Sequence, residues 1–363
     1  GTEGQAFKPI NKWFKEAGKS AGCVTTTRIT HATPASFAIS VTERWLEDKI
    51  AEKYLEEAYD VMLGGGIEHF LADKREDGRD MVAEFKNKGY HFVQTKEEMM
   101  GLPMDDKPIM GAFTESHLPY TLDHINDEEL LTKVPTLAEL TDTAIQKLSK
   151  NKNGFILQVE GGRVDHAAHS NDIGGLIYDQ VALDDAIKVA VDFAEKDKET
   201  LVIITTDHGN ASPSLTGSGR SYSESTEDFK KFHNFKRSNT VLMEKLKENN
   251  SSSYIKELIS DATGIELDAK EIEIIQKATY ESFYQDVVRN QRSLIVALSD
   301  VIGKHLAVTW ANTHHTSDFT ELAAMGPGSE RLGGFVRNTE LFQLMTSAAG
   351  VETNVPSFAE ATG

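Results

Sequence analysis

Two short apolar runs, residues 155–159 and 201–205, are each followed closely by acidic residues and histidines, and this repeated order constrains the fold most. The polar residues that follow the two runs are Glu160, Asp165, His166, His169, Asp207 and His208. Runs of this length are typical of buried strands, and residues 172–196 between them carry apolar side chains at helical spacing. This strand–helix–strand order predicts an α/β fold with a mainly parallel sheet. Because ligands bind beyond the carboxyl ends of such strands, both polar groups are expected at one edge of the sheet.

The alternation of helices and strands extends over most of the first 216 residues. The pattern is mostly helical over residues 34–63, with a short strand at the end of that range. Thr136 and Glu139 have the spacing of a capping box, which predicts a helix that reaches Lys150. We therefore expect one α/β core over residues 1–216.

Residues 217–304 interrupt this alternation with a stretch rich in Ser, Lys and Glu. The pattern predicts amphipathic helices here, among them one over residues 280–302. We interpret the stretch as a largely helical insertion that forms a lid or an oligomer contact, or that is a solvated appendage with no direct role. Strand patterns return after it, so residues 305–363 are predicted to rejoin the core.

The composition excludes several classes of protein. A formal net charge of −19 argues against a nucleic-acid partner, because phosphate backbones are bound by clustered Lys and Arg. No apolar run approaches the roughly 20 residues that a membrane-spanning helix needs. The single cysteine excludes an intrachain disulfide and a cysteine-based zinc cluster. A transition metal would therefore need histidine and carboxylate ligands.

The spacing of the histidines indicates a metal site. Asp165 and His169 are four residues apart, so one turn of helix would place both side chains on the same face. His315, after a later strand, is the best candidate for a third ligand of a zinc ion, and Asp207-His208 forms a second pair. The alternative is that these histidines are ordinary surface residues or core residues with satisfied hydrogen bonds.

Three further residues are candidates for oxygen or phosphate chemistry. Glu160 ends its strand, where a carboxylate is better suited to bind Mg²⁺ than to pack in an apolar core. Thr33 offers a hydroxyl oxygen, although a Thr before Pro is commonly a turn or N-cap residue. Arg44, expected in the helix that follows, would suit bidentate phosphate binding if that helix faces the site, or is otherwise a solvated charge.

Four motifs of the chain resemble those of alkaline phosphatases, and they occur in the family's order. They are the stretch from Val159 to His169 (VEGGRVDHAAH), the run Thr205-Thr206-Asp207-His208, the run His31-Ala32-Thr33-Pro34-Ala35, and His315-Thr316 followed by Ala323-Ala324-Met325-Gly326-Pro327. The glycine turn Leu63-Gly64-Gly65-Gly66 and the run Pro135-Thr136-Leu137 are similar as well. The resemblance covers nearly the whole chain outside residues 217–304.

The resemblance implies a three-layer α/β/α sandwich, two Zn²⁺ sites and one Mg²⁺ site. It assigns Asp165, His169 and His315 to the first zinc and Asp207 and His208 to the second. It assigns Thr33 and Glu160 to magnesium, Arg44 to phosphate, and His31 and His166 to positions that line the magnesium side and tune phosphate binding. The implied activity is hydrolysis of phosphate monoesters, and the family's habits imply a periplasmic or secreted protein and a possible homodimer.

One departure from the family pattern leaves alternatives open. The family has an upstream strand ending in a bridging aspartate and an Asp-Ser-Ala motif with the nucleophilic serine, and we find no match for either. We therefore expect that the chain lacks about the first quarter of a complete enzyme, including one central strand. The alternatives are a phosphodiesterase or phosphonoacetate hydrolase, which Arg44 disfavours, and a non-catalytic metal- or phosphate-binding protein, which the missing serine favours.

Overall fold

The computed structural model describes residues 7–103, 105–216, 221–278 and 293–353. The strands in this part of the chain are β1 (Ser20–Arg28), β2 (Val61–Gly65), β3 (His91–Val93), β4 (Ile109–Ala112), β5 (Phe155–Glu160), β6 (Val202–Thr205), β7 (Gly209–Asn210), β8 (Pro213–Leu215), β9 (Val308–Trp310), β10 (His315–Thr316) and β11 (Leu322–Met325). The helices of the first 200 residues are α1 (Ile10–Glu16), α2 (Ala32–Ala38), α3 (Glu47–Glu57), α4 (Met81–Asn87), α5 (Lys96–Met100), α6 (Thr121–Ile125), α7 (Glu128–Lys133), α8 (Leu137–Leu148), α9 (Arg163–His169) and α10 (Ile173–Asp197). The later helices are α11 (Tyr222–Phe229), α12 (Asn239–Glu248), α13 (Ser252–Thr263), α14 (Ala269–Lys277), α15 (Leu294–Leu306) and α16 (Asn338–Ala348).

A five-stranded parallel sheet forms the centre of the fold, in the order β3-β4-β2-β1-β5. Successive strand residues point to opposite faces, so Cys23 joins one apolar cluster and Val24 joins another. Helices α1 to α4 contribute to the first cluster and α8 to the second. Apolar layers on both faces are typical of parallel sheets covered by helices. The predicted α/β fold is confirmed.

The tight approach of β1 and β2 depends on a glycine. A Cβ on Gly64 would lie 2.5 Å from Cγ2 of Ile29 and 2.8 Å from Cγ2 of Thr25. No real side chain tolerates such distances, so Gly64 lets the carboxyl ends of the two strands converge. The polar ends of β1 and β5, Arg28 and Glu160, lie at this same edge because the strands are parallel.

Three antiparallel pairs contain the later strands, and one of them joins β8 to β9. The strand β6 pairs with β11, and no hydrogen-bonded ladder joins it to β5 in the part of the chain that the structure describes. The short strands β7 and β10 pair so that His315 lies opposite Asn210. This pairing brings a residue near the end of the chain back to the edge where β5 ends.

The helices from α11 to α15 form a third apolar cluster that also includes Leu122, Ile173 and Trp310. The predicted helix over residues 280–302 differs from the structure, in which α15 begins at Leu294; residues 279–292 lie outside the described part. Because α15 continues to Leu306, the strand that follows begins only at Val308. The proposed boundaries of the insertion stay a prediction.

Two buried aspartates attach α12 to the core. Oδ1 of Asp123 accepts the backbone N–H of Ser238 at 2.8 Å, and Oδ2 of Asp172 accepts that of Asn239 at 2.6 Å. These N–H groups belong to the first turn of α12, where a helix has unpaired donors and favours negative charge. Helix α12 is therefore fixed to the core at its N-terminus.

A third buried aspartate, Asp179 on α10, gives stability a measurable pH dependence. Its Oδ2 accepts the backbone N–H of Thr121 at 3.0 Å and its Oδ1 accepts the Thr121 hydroxyl at 3.2 Å. Burial raises the pKa of Asp179 to about 7, well above the ordinary range of an aspartate. The raised pKa therefore contributes to the free energy of unfolding. This contribution is fully present below about pH 4 and is lost as the pH rises to 7.

The substitution Asp179→Asn is expected to raise the free energy of unfolding by on the order of 2 kcal/mol above pH 7, because the amide keeps both contacts without a charge. The gain should shrink as the pH falls towards 4. Urea unfolding at pH 5, 6, 7 and 8.5 measures it, with Asp184→Asn as an exposed control on the same helix. Equal destabilisation by Asp179→Asn at every pH would contradict the raised pKa.

Candidate metal centre

Three residues from two distant parts of the chain meet at the edge of the sheet. Helix α9 places Asp165 and His169 one turn apart, and β10 brings in His315. Nε2 of His169 lies 3.5 Å from Oδ2 of Asp165 and 3.1 Å from Nε2 of His315. One ligand atom of each residue lies within 4.8 Å of the other two. The convergence predicted from spacing alone is therefore present in the fold.

The neighbours of these residues orient their donor atoms. Nδ1 of His169 donates to the carbonyl oxygen of Thr313 at 2.7 Å, which leaves the lone pair on Nε2 and towards Asp165 and His315. Oδ1 of Asp165 accepts from the Asn210 amide at 2.6 Å. Burial, followed by the nearby His208, lowers the pKa of His315. Two imidazoles and a carboxylate are a donor set that suits zinc with one position left open.

A second histidine–carboxylate pair lies against the first group. Nε2 of His208 lies 3.4 Å from Oδ2 of Asp207, and the His208 ring stacks on His315 with centroids 3.5 Å apart. Nδ1 of His208 contacts the carbonyl oxygen of Gly209 at 3.2 Å, so the remaining nitrogen faces Asp207. Among the described residues, no third His, Cys, Asp or Glu joins Asp207 and His208 in a group with metal-binding geometry.

Glu160 forms an oxygen-rich cluster with threonines at the end of β5. Burial raises the pKa of its carboxyl, while the hydroxyls of Thr25, Thr33 and Thr27 lower it, and the charge of Asp207 raises it. The structure thus brings Thr33 to Glu160, as the resemblance implies. A buried carboxylate among hydroxyl oxygens has the chemistry of a site for a hard cation such as Mg²⁺. Thr25 and Thr27 were not predicted.

The predicted helical position of Arg44 is wrong. Helix α2 ends at Ala38, and Arg44 lies exposed in a turn before α3. Three of the five residues between Ala38 and Arg44 are β-branched and a fourth is Ser, and such residues have lower helix propensity than Ala or Leu. Arg44 nevertheless lies next to His31, with which the resemblance groups it, because its Nη2 lies 3.4 Å from Nε2 of His31.

His31 and His166 lie side by side, with ring centroids 5.5 Å apart and planes at 90°. Burial, followed by the charges of Arg44 and Arg28, lowers the pKa of His31 to about 4. Burial and the adjacent Arg163 hold the pKa of His166 well below its usual value, and Arg163 Nη1 lies 2.9 Å from His166 Nδ1. Both imidazoles are therefore neutral at neutral pH, beside fixed guanidinium charges that would attract an anion.

A family model for alkaline phosphatases matches residues 2–351 of this sequence. The chain belongs to the alkaline phosphatase family. It is 33% identical over 345 residues to alkaline phosphatase 3 of Bacillus subtilis (strain 168), covering 93% of this chain and 70% of the relative. The predicted family is confirmed.

Solved structures agree with this assignment. The alkaline phosphatase of Thermus thermophilus superposes with a TM-score of 0.88 at 34% identity, covering 98% of this chain and 76% of that one. A variant of the alkaline phosphatase of the Antarctic bacterium TAB5, which binds Mg in its M3 site, shares the fold with a TM-score of 0.64 at 24% identity. That match covers 96% of this chain and 77% of the other.

Membership settles the class of activity. Alkaline phosphatases are metal-dependent hydrolases that act on phosphate monoesters, and this chain is a phosphatase hydrolase. Within the described residues, none of the helices has both the length and the apolar character needed to cross a bilayer.

Proposed function

We propose that this chain binds two zinc ions and one magnesium ion and uses them to hydrolyse phosphate monoesters. The convergence of Asp165, His169 and His315 to within 4.8 Å is the observation that supports it most. The second zinc would be held by Asp207 and His208, and the magnesium by Glu160 and Thr33. Zinc bound at such ligands supplies a Lewis acid and lowers the pKa of a water molecule.

The residues of the chain would bind and orient the substrate. The exposed guanidinium of Arg44 can clamp two nonbridging oxygens of a phosphate group, as planar arginine forks do. The neutral rings of His31 and His166 line the same region. The negative charge of the phosphate would therefore be balanced by the arginines and the metal ions. The family's serine motif has no match in this sequence, so the residues named here would serve metal and phosphate binding.

Three further assignments follow from the family and the charge. A periplasmic or secreted location and a homodimer are proposed by analogy with alkaline phosphatases. The absence of a nucleic-acid partner follows from the net charge of −19, which repels phosphate backbones.

Removal and return of metal tests the proposed function. The purified protein is dialysed against a chelator and reconstituted with zinc, magnesium or both, and its metal content is measured beside hydrolysis of p-nitrophenyl phosphate. Hydrolysis is expected to follow zinc content and to be slower for bis(p-nitrophenyl) phosphate, because a diester offers fewer charged oxygens to the arginine. Zinc content far below one equivalent would contradict the metal site. Full zinc content with neither hydrolysis nor phosphate binding would contradict the activity.

A further inference from the structure

His117 contacts both histidines of the proposed phosphate site, although no sequence motif marks it. It lies in the connection between β4 and α6 and is largely buried. Its ring centroid lies 4.5 Å from that of His166 and 5.5 Å from that of His31, with the planes at 71° and 84°. The three rings therefore form one edge-to-face cluster, a geometry in which aromatic rings attract each other.

The ring of His117 is fixed from behind by Arg28. Its Nδ1 accepts the backbone N–H of Arg28 at 3.1 Å, and its Nε2 lies 2.9 Å from Arg28 Nη1. Burial, followed by the charges of Arg28 and Arg163, lowers the pKa of His117 to about 2. The imidazole is accordingly neutral and accepts at one nitrogen only, so Nδ1 accepts the Arg28 backbone N–H while Nε2 lies against the Arg28 side chain.

Arg28 is in turn held by Glu47. Its Nε and Nη2 donate to the two carboxylate oxygens at 2.8 and 2.6 Å, a bidentate arrangement. Thr30 also donates to Glu47, at 2.6 Å. Burial raises the pKa of Glu47, but hydrogen bonds from His69, Arg28 and Thr30 outweigh it and hold the pKa well below the usual range. A charged, fully bonded pair thus anchors His117.

His31 has no comparable anchor of its own. Its Nδ1 is buried without a hydrogen-bond partner among the described residues, and its Nε2 has only the 3.4 Å contact with Arg44. The rings of His117 and His166 pack against that of His31, each nearly perpendicular to it. Its orientation therefore depends on packing, and the contact with Arg44 depends on its orientation.

We propose that His117 is a positioning residue that holds His31, and through it Arg44, in the orientation that binds phosphate; this inference rests on the proposed function. The order of contacts is Glu47, Arg28, His117, His31 and Arg44. Residues that orient a binding group in this way commonly change affinity or activity by about 10–100-fold when replaced.

The substitution His117→Asn tests the proposal, with His124→Asn as the matched control. His124 is 5% exposed, and its Nε2 contacts the carbonyl oxygens of Leu130 and Val134 at 3.1 and 3.0 Å, away from the cluster. In the zinc- and magnesium-loaded protein, His117→Asn is expected to raise KM for p-nitrophenyl phosphate and the inhibition constant of inorganic phosphate about tenfold. The kcat and the zinc content of His117→Asn should change little. The control His124→Asn should leave both KM and the inhibition constant unchanged.

A second measurement keeps the proposal separate from the activity. The side-chain signals of ¹⁵N-labelled histidines are recorded in metal-free protein, with those of His31 assigned by His31→Asn. His117→Asn should shift or broaden the signals of His31 and His166, and the control should leave them in place. Unchanged His31 signals, or equal effects of His117→Asn and the control, would overturn the proposal. Wild-type protein that neither hydrolyses the ester nor binds phosphate would refute the proposed function, and the histidine signals alone would then decide the role of His117.

Discussion

The substitution His315→Ala is expected to release zinc from the first metal site and to reduce hydrolysis of p-nitrophenyl phosphate on the order of a thousandfold. A metal Lewis acid supplies several kcal/mol of transition-state stabilisation, and each 1.4 kcal/mol is about a factor of ten in rate. His315 approaches Asp165 Oδ1 to 3.8 Å and His169 Nε2 to 3.1 Å, so its loss leaves two ligands of the three. Zinc content by elemental analysis and initial rates measure the two effects.

The neighbouring histidine provides the control for this experiment. His314 directly precedes His315 and lies outside the group with metal-binding geometry, so His314→Ala should keep its zinc. Thermal unfolding of both variants shows whether either loses its fold. Full zinc content in His315→Ala, or equal zinc loss in both variants, would argue against His315 as a ligand.

The substitution Arg44→Ala is expected to weaken the binding of inorganic phosphate by about 10–100-fold while leaving zinc content unchanged. A hydrogen bond to a charged group contributes about 1.5–3 kcal/mol, and Arg44 is the exposed guanidinium beside His31. The phosphate affinity of Arg44→Lys should lie between those of the wild type and Arg44→Ala, because an ammonium keeps the charge but not the planar guanidinium. The inhibition constant of inorganic phosphate, measured for the wild type and both variants, gives these affinities.

Arg79 is a suitable control for the charge change. Its guanidinium pairs with Glu84 and Glu52 between α3 and α4, outside the histidine cluster. Arg79→Ala removes the same formal charge, so a phosphate affinity equal to that of Arg44→Ala would assign the effect to net charge. Unaltered affinity in Arg44→Ala itself would exclude Arg44 from the phosphate site.

The strands that flank the metal motifs could be predicted from sequence because their apolar character is continuous. The structure places β5 at Phe155–Glu160 and β6 at Val202–Thr205, each within one residue of the predicted range. The helix at Leu137–Leu148 has the predicted capping box, in which Thr136 and Glu139 each bond the other's backbone N–H. Local hydrogen bonds and continuous apolar runs are signals that a single segment carries in full.

The strand β1 was missed, although it pairs with both β2 and β5. Its sequence, from Ser20 to Arg28, contains a glycine and three threonines and has no long apolar run. The β-branched stretch from Val24 to Thr27 is typical of a strand and could have indicated it. The short strands β3 and β4 were also missed, because β3 contains a histidine and β4 a glycine, so neither has the continuous apolar run that marks β6.

The site was predicted where one motif held several ligands and missed where a residue stood alone. Asp165 and His169 are four residues apart, whereas Thr25 reaches Glu160 across 135 positions of sequence. His117 has no other histidine nearby in the sequence, and only the return of β4 to the sheet edge brings it to His31. Contacts of this kind are set by the tertiary fold, so they cannot be predicted from the spacing of residues within one segment.

The attachment of α12 to Asp123 and Asp172 limits how this protein can be shortened. Asp172 lies three residues after His169, so the anchor of the inserted helices and a candidate zinc ligand share one short piece of backbone. Deleting those helices would remove the backbone N–H partners of Asp123 Oδ1 and Asp172 Oδ2, and Asp172 would keep only the bonds from its own helix α10, such as that from Gly175. A minimal version of the domain would need neutral replacements for both acids, and natural length changes should accumulate beyond Asn239 and spare the junction itself.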